Sequence, residues 1–414
     1  MSDISPKLAE FYRRLRDNDS SLISLYLGSM QLGDIEMQHL IIALQSNSYL
    51  TKLNLSDNQL GDAKMHHLDA ILRSNSSLTE LDLHHNEIDY IGARHLGRAL
   101  QSNSSLISLY LTGNQIGDIG SQYLGTALQS NSSLTYLDLS YNQIRDTGLQ
   151  YLSQALQSNS SLTSLDLSCN QIENTRAQHL TRSLQFNTSL AYLNLDGNHI
   201  GDVGTQHLAI ALQSNSSLTY LKLHHNQIGD IGLQHLSTAL QSNSSLTYLD
   251  LNFNEIKDAG MQDLAKTLQS NSSLTQLRIG SNRIQKVGAQ HLAIALQFNT
   301  SLTQLDLPYN QIKSAGAQYL ATALQFNSTL TELDINGNHL NSRKVPDSDM
   351  VLRSCPSRIF LNRNLYTRIR LLSDRNKANT RLRNLTLVAL LLSSKSPIFG
   401  NRCSTWTTKK VVDI

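Results

Sequence analysis

One leucine returns every 28 residues, at Leu22, Leu50, Leu78 and onward to Leu330, twelve times without a slip. A fixed period of this size is the signature of a solenoid. Each copy is too short to bury a core alone, so the copies must stack on one another. The length of 414 residues would otherwise argue for two or three globular domains, and the repeat overrides that expectation. The copies are numbered here as units 1 to 12, and places within a unit are counted from its leading leucine.

Unit 5 illustrates how the period changes inside a copy. Leu134, Leu137 and Leu139 mark one face of a short strand, with Tyr136 and Asp138 on the other. Asn142 follows at place 9, a position that stays Asn from Asn58 through Asn338. An unpaired buried amide costs roughly 1–3 kcal/mol, so this asparagine must bond the turn backbones of adjacent units in a ladder. The second half reads as a helix. Leu124, Ala127 and Leu128 form an inward stripe, and Asp118, Asp146, Asp202 and Asp230 stand where each helix would take an N-cap acceptor. Gly120 and its counterparts fall on the stripe one turn earlier, where a missing side chain would bring the helix close to the strand layer. Lys64 and Arg176 replace that glycine, which predicts looser packing in their units.

The pattern LxxLxLxxNxI followed by GDxGxxxLxxAL resembles the leucine-rich repeats of the ribonuclease-inhibitor type, also found at the carboxy end of NOD-like receptors. The resemblance covers about residues 22–340 and implies an α/β fold: a right-handed leucine-rich-repeat horseshoe with a parallel concave sheet and convex helices. The chain departs from ribonuclease inhibitor in its single repeat length and its few cysteines, so that protein's activity is not implied.

Several functional classes are excluded. There is no GxxxxGK[ST] phosphate loop, no H-E-x-x-H helix and no supported Ser/His/Asp arrangement. His39, His67, His95, His179, His207, His235 and His291 share one helical place, which Tyr123, Tyr151 and Tyr319 fill elsewhere. Helices packed ~8–10 Å apart hold such imidazoles too far from one another to share a metal. They read as half-buried groups between helices. The pairs His84/His85 and His224/His225 lie five units apart, about 24 Å at ~4.8 Å per strand, and each alone offers too few ligands. Neither catalytic residues nor a cofactor nor a metal is expected.

Cys169, Cys355 and Cys403 have no paired spacing, the amino terminus has no apolar signal-peptide core, and the longest apolar run, 385–392, falls short of the ~20 residues of a membrane span. A cytoplasmic protein is expected. Ten successive units from Asn75 to Asn327 do carry the glycan-acceptor pattern Asn-x-Ser/Thr. Asn readily ends a helix in the left-handed conformation and Ser favours turns, so a helix stop before a strand generates the pattern, and these asparagines should stay bare.

Charge is unevenly distributed. Residues 1–340 hold 19 Lys/Arg against 28 Asp/Glu, and residues 341–414 hold 15 against 4. Three regions follow: a helical cap over 1–21, with Ser5-Pro6 starting a helix that buries Leu8, Phe11, Tyr12 and Leu15; twelve repeats over 22–340; and a basic tail over 341–414. In the tail, Leu361, Leu365, Ile369 and Leu372, then Leu382, Leu385, Ala389 and Leu392, stand at helical spacing. The tail is expected to cap the last units, covering Phe298 and Phe326, and its charge would also suit nucleic acid or an anionic membrane.

The outward strand places are where function should lie, since the repeat leaves them free to vary. Place 3 carries Tyr136, Tyr192, Tyr220 and Tyr248; place 5 carries Asp138, Asp166, Asp250 and Asp306; just beyond lie Tyr141, Phe253 and Tyr309. Tyrosine among carboxylates is the composition of a protein-binding surface directed at a basic or mixed-charge partner. The expected function is non-enzymatic protein recognition on the concave face. The alternative is regulation of an enzyme, as by GTPase-activating proteins that resemble this repeat type.

Overall fold

A computed structural model describes residues 6–173, 177–340 and 358–360. Helix α1 (Pro6–Arg16) opens the chain and buries Leu8, Tyr12 and Leu15 against the first unit. Each unit then begins with a three-residue strand, from Ser24–Tyr26 in unit 1 to Glu332–Asp334 in unit 12. In units 1 to 11 the strand is followed by a helix, from Asp34–Gln45 to Lys313–Leu324. All the strands pair in parallel, in chain order, as one sheet. Register never shifts between units 1 and 12, so Leu25 faces Leu53 at one end and Leu305 faces Leu333 at the other. The result is an open parallel sheet backed by helices, with a single core running the length of the repeat array.

A thirteenth strand, Arg358–Phe360, joins the sheet beyond unit 12, pairing Leu333 with Ile359 at a spacing of 26 rather than 28. The sequence from Ile359 to Asn364, IFLNRN, repeats the LDLSYN pattern of unit 5 with Asn364 at place 9. The helical segments expected in the tail, and Ser5 at the amino end, lie outside the described residues.

Two asparagine ladders tie unit to unit. At place 9, Asn142 is fully buried; its Nδ2 donates to Leu111 O at 2.8 Å and Ser140 O at 2.9 Å, and its backbone N–H donates to Asn170 Oδ1 at 3.0 Å. The second ladder runs through the ten glycan-acceptor asparagines. Asn131 donates from Nδ2 to Leu100 O at 2.8 Å and Asn103 O at 3.0 Å, and its Oδ1 accepts from the N–H groups of Ser133 and Leu134. The left-handed helix stop expected here is corrected: Asn75 and Asn103 are extended, with ψ 129° in both. Extended backbone turns the amide inward, where it satisfies helix-end carbonyls of the preceding unit.

The aspartate caps are also corrected, because they serve the next helix rather than their own. Asp118 Oδ1 accepts from Arg145 N at 2.8 Å and Gly148 N at 2.9 Å, both in the following unit. Asp202 does the same for Gly229 and Gly232, and Asp230 for Lys257 and Gly260. These are orphan amides at a positive helix terminus, where a carboxylate is stabilising. The helical glycine fits this arrangement. A Cβ on Gly148 would stand 2.7 Å from Asp118 Oδ1 and 2.8 Å from Ile144 Cγ2, and one on Gly120 2.6 Å from Ile116 Cγ2, so the missing side chain admits the core isoleucine of its own unit and, at Gly148, the neighbour's cap as well. Arg176 lies outside the described residues.

Candidate protein-interaction surface

Alternation along each strand turns places 3 and 5 out of the core, and the unbroken register lines them up in rows across the sheet. Most place-5 acids prove to have a structural duty. Asp138 Oδ1 accepts the N–H of Ser140 at 2.9 Å, Asp166 that of Ser168 at 2.8 Å, and Asp250 that of Asn252 at 2.9 Å. Each closes the turn after its strand, as Asx side chains do. The expectation that the fold leaves place 5 free is therefore corrected. Asp306 differs, because Pro308 at place 7 has no N–H to give. Its carboxylate instead meets Arg278 Nε at 3.0 Å and Gln304 Nε2 at 3.1 Å.

Lys222 and Arg278 cannot close a turn in this way, and the preceding unit supplies the acceptor. Asp196 Oδ1 takes the N–H of His224 at 2.7 Å, and Asn252 Oδ1 takes that of Gly280. Each cation covers a tyrosine: Lys222 Nζ lies 6.0 Å from the ring centroid of Tyr192, and Arg278 lies 5.4 Å from that of Tyr248. Neither cation was singled out as a site residue from sequence. The available signal was their departure from Asp/Asn at place 5, with an Asp or Asn two places further along the preceding unit.

The place-3 tyrosines of units 7 to 9 form one stack, with Tyr192 and Tyr220 centroids 5.0 Å apart. Tyr248 closes it and is only 3% exposed, held between Tyr220 and Arg278, with Asp250 beside it 6% exposed. These two expected contact residues are thus buried in the sheet surface, while Tyr192 and Tyr220 stay half-buried. Tyr136 lies apart from them and packs on Tyr110, centroids 5.0 Å apart. Of the rings expected as contacts, the exposed ones are at the rim: Tyr141, Phe253 and Tyr309 are 60%, 55% and 50% exposed.

Electrostatics follow burial. Desolvation pushes the Asp196 carboxyl up to about 7, helped by the charge of Asp250 and opposed by the His224 N–H. Burial likewise raises Asp166, and lowers the His224 imidazole. His84 is raised instead, because Asp82 Oδ1 sits 2.6 Å from its Nδ1. Among the described residues no group of three or more His, Cys, Asp or Glu side chains could hold a metal ion, and no helix is long and apolar enough to cross a membrane.

Twelve in-register strands, with Asn at place 9 in units 2 to 12 and a helix after the strand in units 1 to 11, define a leucine-rich-repeat solenoid. The Leucine Rich repeat family matches residues 46–63, 74–97, 102–125, 130–153, 158–175, 186–209, 214–237, 242–265, 270–293, 298–321 and 326–343, more than half the chain, and the chain belongs to that family. Among solved structures, it is similar to an internalin (inlF) of Listeria monocytogenes str. 4b F2365, at 24% identity over 86% of this chain and 94% of that one, with a TM-score of 0.52. That likeness is one of fold. The tropomodulin C-terminal domain of Caenorhabditis elegans also matches, at 20% identity over 37% of this chain and 92% of that one, with a TM-score of 0.32. No curated protein matches.

Proposed function

We propose that the protein is a non-enzymatic recognition scaffold that binds a mixed-charge protein partner across the concave face and rim of units 5 to 11. The observation that carries this reading is the relocation of the turn acceptor to Asp196 and Asn252. Most units close this turn with Asp or Asn at place 5; Lys222 and Arg278 stand there with the acceptor supplied by the preceding unit instead, so two cations are held on the surface with their turns still closed. Stacked rings and bonded carboxylates also make the surface rigid before binding, which lowers the ordering cost of association. The resemblance to ribonuclease-inhibitor-type repeats supports the same use of the concave face.

A cytoplasmic location fits this reading. Asn131 and Asn159, each 5% exposed, commit Nδ2 to the second ladder, and a glycan on that nitrogen would displace the bonds it makes. The test of function is affinity capture on the whole chain, followed by rebinding of the captured partner to Lys222→Ala, Arg278→Ala and, on the convex side, Gln290→Ala. Loss in the first two with retention in the third is expected. Loss only in Gln290→Ala would move the site to the helices.

A further inference from the structure

The rim between units 9 and 11 carries a built notch. Phe253 and Tyr309 occupy place 8 on either side of Ser281, and the notch they wall measures about 400 Å³. That is the low end of ligand-pocket volumes, and rings half exposed to water cannot enclose a small molecule as such sites do. It is room for one or two side chains of a larger partner.

The two rings lean apart. Phe253 rests edge-on against His224 in the unit before it, centroids 4.8 Å apart. Tyr309 lies forward over Gly337 in the unit after it, where a Cβ would meet the ring at 2.5 Å. Ser281, between them, is left uncovered by either. Place 8 is left-handed throughout the repeat, with φ of 55°, 52° and 55° at Phe253, Ser281 and Tyr309. Glycine adopts this backbone freely and stands there in Gly113, Gly197 and Gly337, whereas a bulky aromatic is strained. The fold therefore has no need of rings at this place, and strain of this kind points to a use beyond the fold.

In the lining of the notch Glu255 and Arg283 offset each other at 3.6 Å, and the acids that would select a partner lie further inward. Three residues inward from Tyr309, burial raises Asp306, the charge of Arg278 and a hydrogen bond from Gln304 oppose that, and the neighbouring Asp334 and Glu332 add to it. We propose that the rim of units 9 to 11 anchors a basic protein segment: an aliphatic or aromatic side chain enters between Phe253 and Tyr309, and a lysine or arginine three or four residues along the segment reaches Asp306, Glu332 and Asp334. The spacing comes from the roughly 10 Å that three extended residues span. This inference rests on the concave-face reading and adds to it the chemistry of the partner.

The probe is a phage-displayed library of random dodecapeptides selected on the whole chain. Enriched sequences should pair an apolar residue with Lys or Arg three or four positions away. The best synthetic peptide is then titrated, by fluorescence anisotropy, against wild type, Phe253→Gly, Tyr309→Gly, Tyr141→Gly and Lys222→Ala. Glycine suits the left-handed backbone, so these variants keep or gain stability and any lost binding belongs to the ring. Affinity should fall about tenfold or more in the first two variants and stay unchanged in Tyr141→Gly. Enrichment without that pairing, no enrichment at all, or equal affinity in Phe253→Gly and Tyr309→Gly would overturn the rim assignment. If binding then still fails in Lys222→Ala, the concave reading stands without the notch; if it survives there too, both fall.

Discussion

Tyr220 and Tyr248 lie face to face, ring centroids 3.6 Å apart and planes within 7° of parallel. Stacked on adjacent strands, they use up each other's faces, so their sheet position alone does not make them contact residues. Tyr248→Ala should act as a buried truncation and cost about 3 kcal/mol in urea unfolding. Tyr192→Ala, at the open end of the stack, should stay within about 0.5 kcal/mol of wild type, in the manner of a surface change. Equal losses would mean that the stack shares its load along its length.

The cap that crosses from one unit to the next gives a sharper expectation. Asp202→Ala removes the acceptor of two amides in the following helix, Gly229 and Gly232, and should destabilise by about 1–2 kcal/mol. Hydrogen exchange should quicken at the start of helix Asp230–Leu240, in the next unit, rather than in Gly201–Leu212, where the mutation sits. Faster exchange confined to the mutated helix would restore the ordinary N-cap.

For the place-9 ladder, Asn142→Leu should cost about 3 kcal/mol or more, since it removes the side chain's bonds to the carbonyls of Leu111 and Ser140 and to the N–H of Ile116, all buried between two complete units. Asn338→Leu, in the last unit of the array, should cost less, because terminal units open more readily. Matched chemical-denaturation curves check the pair, and identical losses would remove the distinction between interior and end.

Asp196 should make stability depend on pH. Below pH ~4 its carboxyl is protonated in both folded and unfolded chains; from there to about 7 the unfolded chain releases the proton while the folded chain keeps it. Stability contributed by this residue therefore falls as pH rises through that window and is level above it. Asp196→Asn should flatten the slope between pH 4 and 7, measured as the urea midpoint in ~0.1 M salt. A slope unchanged by the substitution would place its origin elsewhere.

The leucines made the strands, their parallel order and the twelve units legible, because a core position announces itself by residue type. Partners were harder, for a reason particular to periodic chains. In such a sequence a contact from Asp118 to Gly120 and one from Asp118 to Gly148 look alike, since the two glycines are equivalent by repeat. The structure takes the longer one. The same ambiguity hid the reach of Asn131 back to Leu100. Burial of Tyr248 depends on having Tyr220 before it and Arg278 after it, a three-unit coincidence that no single unit displays. The strand Arg358–Phe360 was missed because its spacing of 26 falls out of phase.

The two ladders also fix how the molecule would respond to being pulled. Asn142 and Asn131 fasten neighbouring units at opposite ends of the same strand, so a unit drawn away from the array loses both fastenings together. Tension applied along the chain would peel the solenoid from an end, one copy at a time, each releasing 28 residues, or about 95 Å of slack at ~3.4 Å per residue. Such a molecule lengthens in equal steps rather than giving way at once, and the units still folded keep their rows of side chains in register throughout.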